Sequence, residues 1–184
     1  MLFEPEALRR VIDFLNVHHI PYMLIGGLAI SILGETRATR DADFKINIDM
    51  PLADFRKLVF KHFPERLTKV PKHMLSPHVI HFWALPNAAA DILVSIFDYE
   101  KQAIERAIEM DIEGIPARIC TPEDLIIHKA IAERNKDWDD IEGILIRQRG
   151  KLDIAYIRNW LTQFAEGLEN PEILSRFNQL FETT

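Results

Sequence analysis

Between Asp41 and Asp49 polar and apolar residues alternate without a break: Asp41, Asp43, Lys45, Asn47 and Asp49 are polar, while Ala42, Phe44, Ile46 and Ile48 are apolar. A β-strand turns a period of two into one buried and one polar face, and a helix does not. This stretch therefore commits the chain to a sheet with at least one covered side. The strand also has a chemical consequence, because Asp41 and Asp43 share its polar face about 7 Å apart. Carboxylates so placed repel, and they are tolerated where water screens them or where a divalent cation offsets the repulsion. Taken alone, the strand favours the plain exposed face, which also accounts for Lys45 and Asn47.

The flanking patterns give a coarse element order. Leu8, Val11, Ile12 and Leu15 stand at helical spacing within Glu4 to Val17. Tyr22 to Ile25 is a short apolar run that meets Gly26-Gly27, and Leu28 to Leu33 resumes up to Gly34, which reads as strand, glycine turn and helix. A helix between Pro51 and Pro64 carries Leu52, Phe55, Leu58, Val59 and Phe63 on one stripe. Strands are expected over Val79 to Leu85 and Asp91 to Phe97, a helix over Tyr99 to Met110, and a last edge strand over Ile112 to Ile119. Thr121 before Pro122, with Glu123 and Asp124 following, is a helix start. Leu125 to Ile131, Trp138 to Ile146, Ile157 to Leu168 and Ile173 to Phe181 then read as helices. The organisation is a mixed α/β part over 1–118 and a helical part over 119–184.

Composition narrows the function classes. Of 184 residues 48% are apolar, enough to offset the entropy of ordering a globular chain. The longest apolar stretch, Tyr22 to Leu33, falls short of the roughly twenty residues a membrane span needs. The first residues lack the basic and apolar regions of a secretory signal, so a cytoplasmic protein is expected. A lone Cys120, with no CxxC or HExxH, argues against structural zinc, and Cys120 is expected to be buried. His18, His19 and His128 carry no assigned role, and Trp83, Trp138 and Trp160 read as packing residues. The net charge of −6 is uneven: Arg56, Lys57, Lys61, Arg66, Lys69 and Lys72 face one acid, Glu65, between Phe55 and His81, so this segment is +5. It is either a solvated face or a landing strip for a polyanion such as RNA.

Glycine at a strand-to-helix bend lets a ligand approach the backbone, and a helix start favours phosphate oxygens. Followed by Arg37-Ala-Thr39-Arg40 and Asp41-Ala-Asp43, the bend would set a phosphate cradle beside a cation site. The stretch IGGLAISILGETRATRDADF, from Ile25 to Phe44, resembles the glycine pair, short helix and R-x-T-x-D-x-D pattern of the nucleotidyltransferases of the DNA polymerase β-like superfamily. It is similar in particular to the branch that includes the AbiEii-type toxins. A second signature of that branch is matched by Pro122-Glu-Asp-Leu-Ile-Ile-His-Lys129 and by Arg134-Asn-Lys136-Asp137-Trp-Asp-Asp140-Ile141. The resemblance runs from about Ile20 to Leu145.

The resemblance implies an α+β fold: a small mixed β-sheet with helices on one face, the polymerase β-like nucleotidyltransferase core, followed by a C-terminal helical bundle. It implies two Mg²⁺ ions held by Asp41, Asp43 and a third carboxylate, for which Asp91 is the candidate, with an NTP as co-substrate. Gly26 and Gly27 would contact the triphosphate, with Arg37 and Thr39 beside them. Lys129 and Asp137 match positions used around the nucleotide, with Arg134, Lys136 and Asp140 in support. The reaction implied is transfer of a nucleoside monophosphate from the NTP to a hydroxyl on an RNA or tRNA end, a protein or a small molecule, releasing pyrophosphate. Expected partners are the NTP, RNA or tRNA on the 55–81 segment, and a cognate toxin or antitoxin protein. A catalytically silent binding module on the same fold is the competing expectation, favoured by Ala42 between the aspartates and by the plain Ala88-Ala-Ala90 before Asp91.

Overall fold

A computed structural model describes residues 4–35, 38–39, 41–67 and 76–184. Its elements are α1 (Pro5–Val17), β1 (Tyr22–Ile25), α2 (Gly26–Leu33), β2 (Asp41–Ile46), α3 (Leu52–His62), β3 (Val79–Leu85), β4 (Ala88–Val94), α4 (Asp98–Arg106), β5 (Ile108–Ile112), β6 (Ile115–Ile119), α5 (Pro122–Ala132), α6 (Asn135–Arg147), α7 (Ile154–Gly167) and α8 (Glu172–Thr183). The fold is α+β, with a six-stranded mixed sheet and helical elements. The chain divides into two compact units, residues 1–28 with 38–120 and residues 29–37 with 121–184.

The first unit holds the sheet, in the order β3-β4-β2-β1-β6-β5. β2 is antiparallel to β1 and parallel to β4, and β4 is antiparallel to β3. β1 and β6 run parallel, and β5 closes the other edge antiparallel to β6. The apolar half of the β2 alternation behaves as its period demands: Ala42, Phe44 and Ile46 are fully buried. Phe82 and Ala90 continue that face on β3 and β4, since Ala42 pairs with Ala90 and Ala90 with Phe82. Phe14 of α1 packs edge-on against Phe63 at the end of α3, and Phe63 packs on Phe82. The opposite face carries Asp41, Asp43 and Lys45.

Several elements depart from the sequence expectation: β2 ends at Ile46 rather than Asp49, and β4 ends at Val94 rather than Phe97. β4 begins at Ala88 rather than Asp91, because pairing of Ala89 and Ala90 on both sides and of Ala88 with β3 outweighs the weak strand preference of three alanines. Asp91 is thus a mid-strand residue. α4 ends at Arg106, and Ile108 to Ile112, expected as helix up to Met110, forms β5. The cause lies in Glu113-Gly114, whose φ angles of 53° and 81° make the tight bend that turns β5 into β6. Consequently β6 is not an edge strand. Lys45, expected on a polar face, is buried against Glu100 of α4, which also accepts the Phe97 N–H at 3.1 Å.

The second unit is helical. Thr121 caps α5 by accepting the Asp124 N–H at 3.1 Å, and its hydroxyl donates to Asp124 Oδ2 at 2.7 Å. Tyr156 of α7 donates to the other Asp124 oxygen at 2.8 Å. Gly34 and Gly143 permit a close crossing of the end of α2 with α6: a Cβ on Gly34 would meet Ile144 at 3.1 Å, and one on Gly143 would meet Glu35 at 3.1 Å. Arg147 seals this crossing by donating to the Gly34 carbonyl at 2.9 Å. Among the described residues no helix is long and apolar enough to cross a membrane. Cys120 is fully buried.

Candidate active site

Register builds the acidic face of the first unit. Asp43 stands directly across from Asp91 on the parallel neighbour β4 and from Ile25, the last residue of β1, on the other side. Asp41 follows two positions away on the same face of β2, opposite Ala89. The structure therefore brings the three sequence-selected aspartates onto one face of two adjacent strands. Asp41 is half-exposed, whereas Asp91 is nearly buried.

The glycine bend is fitted to this face. Gly26 has φ +64°, in the left-handed region, and a Cβ there would lie 1.9 Å from Asp43 Oδ2. Only a residue without Cβ lets β1 pass into α2 beside that carboxylate. A Cβ on Gly27 would lie 2.5 Å from Thr39 Oγ1, whose hydroxyl donates to the Asp41 carbonyl at 3.1 Å. Gly26, Gly27, Thr39, Asp41 and Asp43 thus form one local arrangement. Arg37 lies outside the described residues, as do Arg40, Lys69, Lys72 and His73.

Two further side chains join the face without having been selected from sequence. Arg66 donates from one terminal nitrogen to Asp91 Oδ1 at 2.6 Å and places the other 3.7 Å from Asp41 Oδ2. His81, opposite Asp91 on β3, sets Nδ1 2.9 Å from the same Asp91 oxygen. Both belonged to the basic stretch, whose other cations are also partly committed. Arg56 donates to the Pro77 carbonyl at 2.7 Å, and Lys57 pairs with Asp54 at 2.9 Å. The sequence signal for His81 was its membership of the basic stretch as the one polar residue of an apolar strand, and nothing local singled out Arg66.

In the second unit, the second motif closes into one ionic network. Lys129, nearly buried, donates to Asp137 at 2.8 Å and to Asp140 at 2.7 Å. Arg134 grips Asp137 through Nε at 2.6 Å and a terminal nitrogen at 3.2 Å. Burial alone would raise the Asp137 carboxyl, but the hydrogen bonds and charges of Arg134 and Lys129 outweigh it and hold the group below the usual carboxylate range. Lys136 is exposed on the first turn of α6.

A family model described as a nucleotidyltransferase of unknown function (DUF6036) matches residues 6–178. The chain belongs to this family. No curated protein matches it. Among solved structures the chain is similar to the antibiotic-resistance factor ANT(2'')-Ia, with a TM-score of 0.59 at 15% identity over 90% of this chain and 93% of that one. It is similar to an antigenic nucleotidyltransferase-like protein from Paracoccidioides brasiliensis, with a TM-score of 0.55 at 18% identity over 94% and 91% of the two chains. A third likeness is to the lincosamide antibiotic adenylyltransferase LnuA, with a TM-score of 0.51 at 14% identity over 78% and 98%. At these identities the likeness is one of fold.

The donor chemistry of the acidic face suits a divalent cation, since all three groups are carboxylates, the ligands hard oxygen-seeking ions take. Register and the Gly26 cradle support the same fit. In the arrangement described, however, Asp91 is engaged by Arg66 and His81, and among the described residues no three acidic, histidine or cysteine side chains are already gathered as a metal cage.

Proposed function

We propose that the protein is a Mg²⁺-dependent nucleotidyltransferase that moves a nucleoside monophosphate from an NTP to a hydroxyl acceptor and releases pyrophosphate. The observation that carries this reading is the β2–β4 register, which sets Asp43 opposite Asp91 with Asp41 two residues away, beside a glycine bend that a Cβ would close. Asp41, Asp43 and Asp91 are the residues that would hold two Mg²⁺ ions. Bound there, the cations supply the positive charge that offsets phosphate oxygens and lowers the pKa of the acceptor hydroxyl. The chain does the rest by positioning. Gly26 and Gly27 admit the triphosphate to the start of α2, the positive end of its dipole, with Thr39 beside them, and Arg37 is assigned to the nucleotide on the strength of the first motif alone. Lys129 and Asp137, supported by Arg134 and Lys136, are assigned to the nucleotide on the strength of the second motif.

The acceptor belongs to the hydroxyl class: an RNA or tRNA end, a protein or a small molecule. The +5 charge of residues 55–81 supports a polyanionic acceptor. The AbiEii-like motifs support a role in a toxin–antitoxin or abortive-infection system, with a cognate protein as partner and the cytoplasm as its compartment. The test is incubation with each α-labelled NTP, Mg²⁺ and either RNA, tRNA or cell extract. Transfer of label that disappears in an Asp41→Ala, Asp43→Ala variant is the expected result, and label that survives in that variant refutes the assignment.

The engagement of Asp91 by Arg66 and His81 favours one second reading, a catalytically silent module that keeps the fold as a binding surface. Calorimetry with Mg²⁺ and an NTP separates the two. Metal-dependent nucleotide binding belongs to the enzyme, and a silent module needs none.

A further inference from the structure

We infer that Arg66 is a built-in competitor for the cation site: its guanidinium holds Asp91, and a divalent cation must displace it to take that carboxylate. This rests on the metal-dependent reading above and deepens it with a regulatory residue outside both sequence motifs. The chain holds Arg66 in place by backbone. Its N–H donates to the His81 carbonyl at 3.1 Å, and Glu65 pairs with Phe82 in an isolated antiparallel bridge, so residues 65–66 are tied to β3. From that fixed position one planar group reaches two carboxylates on two strands, Asp91 at 2.6 Å and Asp41 at 3.7 Å. Charge on two acids from neighbouring strands is what a divalent cation would neutralise there, and a guanidinium does it with two forked nitrogens.

Two physical points make the hold exchangeable rather than permanent. A guanidinium keeps its proton at any working pH, so Asp91 is freed only by movement of the side chain. The resting position is also incompletely satisfied, because Arg66 Nε is buried without a hydrogen-bond partner, and so is His81 Nε2. A buried donor left unmade costs free energy that departure of the side chain recovers. His81 remains on Asp91 when Arg66 leaves, which keeps the carboxylate oriented on β4.

The experiment is Mn²⁺ binding to the full chain, by calorimetry and by the electron paramagnetic resonance signal of the free ion, for wild type, Arg66→Gln, Arg66→Lys and Lys101→Gln. Removing the competitor is expected to tighten Mn²⁺ binding about tenfold in Arg66→Gln, the ratio that about 1.4 kcal/mol sets. Arg66→Lys should fall between that variant and wild type, since an ammonium keeps the charge but cannot fork across two carboxylates. Lys101, an exposed cation paired with Asp98, controls for net charge, and its variant should bind as wild type does. Binding by Arg66→Gln no tighter than wild type overturns the inference alone, as does equal tightening in Lys101→Gln. Absence of Mn²⁺ binding in every protein overturns the metal-dependent reading and this inference with it. If Arg66→Gln fails to fold, Arg66→Lys decides: tighter binding than wild type supports the competition, and unchanged binding overturns it.

Discussion

Gly26→Ala tests whether the bend is shaped by Asp43 or merely by a turn. Two costs add in this variant. An alanine in the left-handed region at φ +64° carries about 1–2 kcal/mol of backbone strain. The new Cβ would also fall 1.9 Å from Asp43 Oδ2 and 2.7 Å from its carboxyl carbon, so the carboxylate must be driven out of its position. Gly114 isolates the first cost: its φ is +81°, and a Cβ there meets nothing within 4 Å. Gly114→Ala should therefore lose about 1 kcal/mol. Gly26→Ala should lose at least about 2–3 kcal/mol, a fall in Tm of roughly 4–12 °C for a chain of this size. Chemical and thermal denaturation of both variants measures the difference. In an Asp43→Ala background the carboxylate is gone, and the extra loss should shrink by about 1 kcal/mol or more as a coupling energy. Equal losses for Gly26→Ala and Gly114→Ala, or no coupling to Asp43, would refute the fitted bend and with it the cradle beside the acidic face.

Other perturbations have defined outcomes. Asp137→Asn leaves Lys129 and Arg134 facing a neutral amide in a buried network, and urea denaturation should show a loss of about 3 kcal/mol. Thr121→Ala removes the α5 cap and should cost about 1 kcal/mol by the same assay. Stability should also fall on the acid side. Burial would raise the Glu100 carboxyl, but Lys45 and the Ile96 and Phe97 N–H groups outweigh it, so its folded pKa lies below the ordinary 4.5, as that of Asp137 lies below 3.8. A lowered folded pKa gives stability that is complete above the unfolded value and is lost as pH falls through the folded one, so the loss should begin below about pH 4.5. Glu100→Gln should flatten that acid limb in a pH series of denaturation midpoints, and an unchanged limb would contradict the Lys45 pairing.

What could be read from the residues alone was local. The period-two run from Asp41 fixed one face of β2, and the buried Ala42, Phe44 and Ile46 follow from it. Thr121-Pro122 marked the start of α5 because capping and proline geometry act within one turn. The placement of Asp43 against Asp91 is different in kind, since it depends on β2 pairing with β4 in one register, a contact between residues 48 positions apart that no periodicity encodes. The same holds for Arg66 and His81, which read as members of a basic stretch, either a solvated face or a polyanion landing strip, whereas β3 carries His81 and a bridge beside it ties Arg66 in place. Lys45 shows the limit most plainly. Its place in the alternation is polar, yet α4 brings Glu100 over it, and burial of the pair is settled by what packs above the strand rather than by the strand itself.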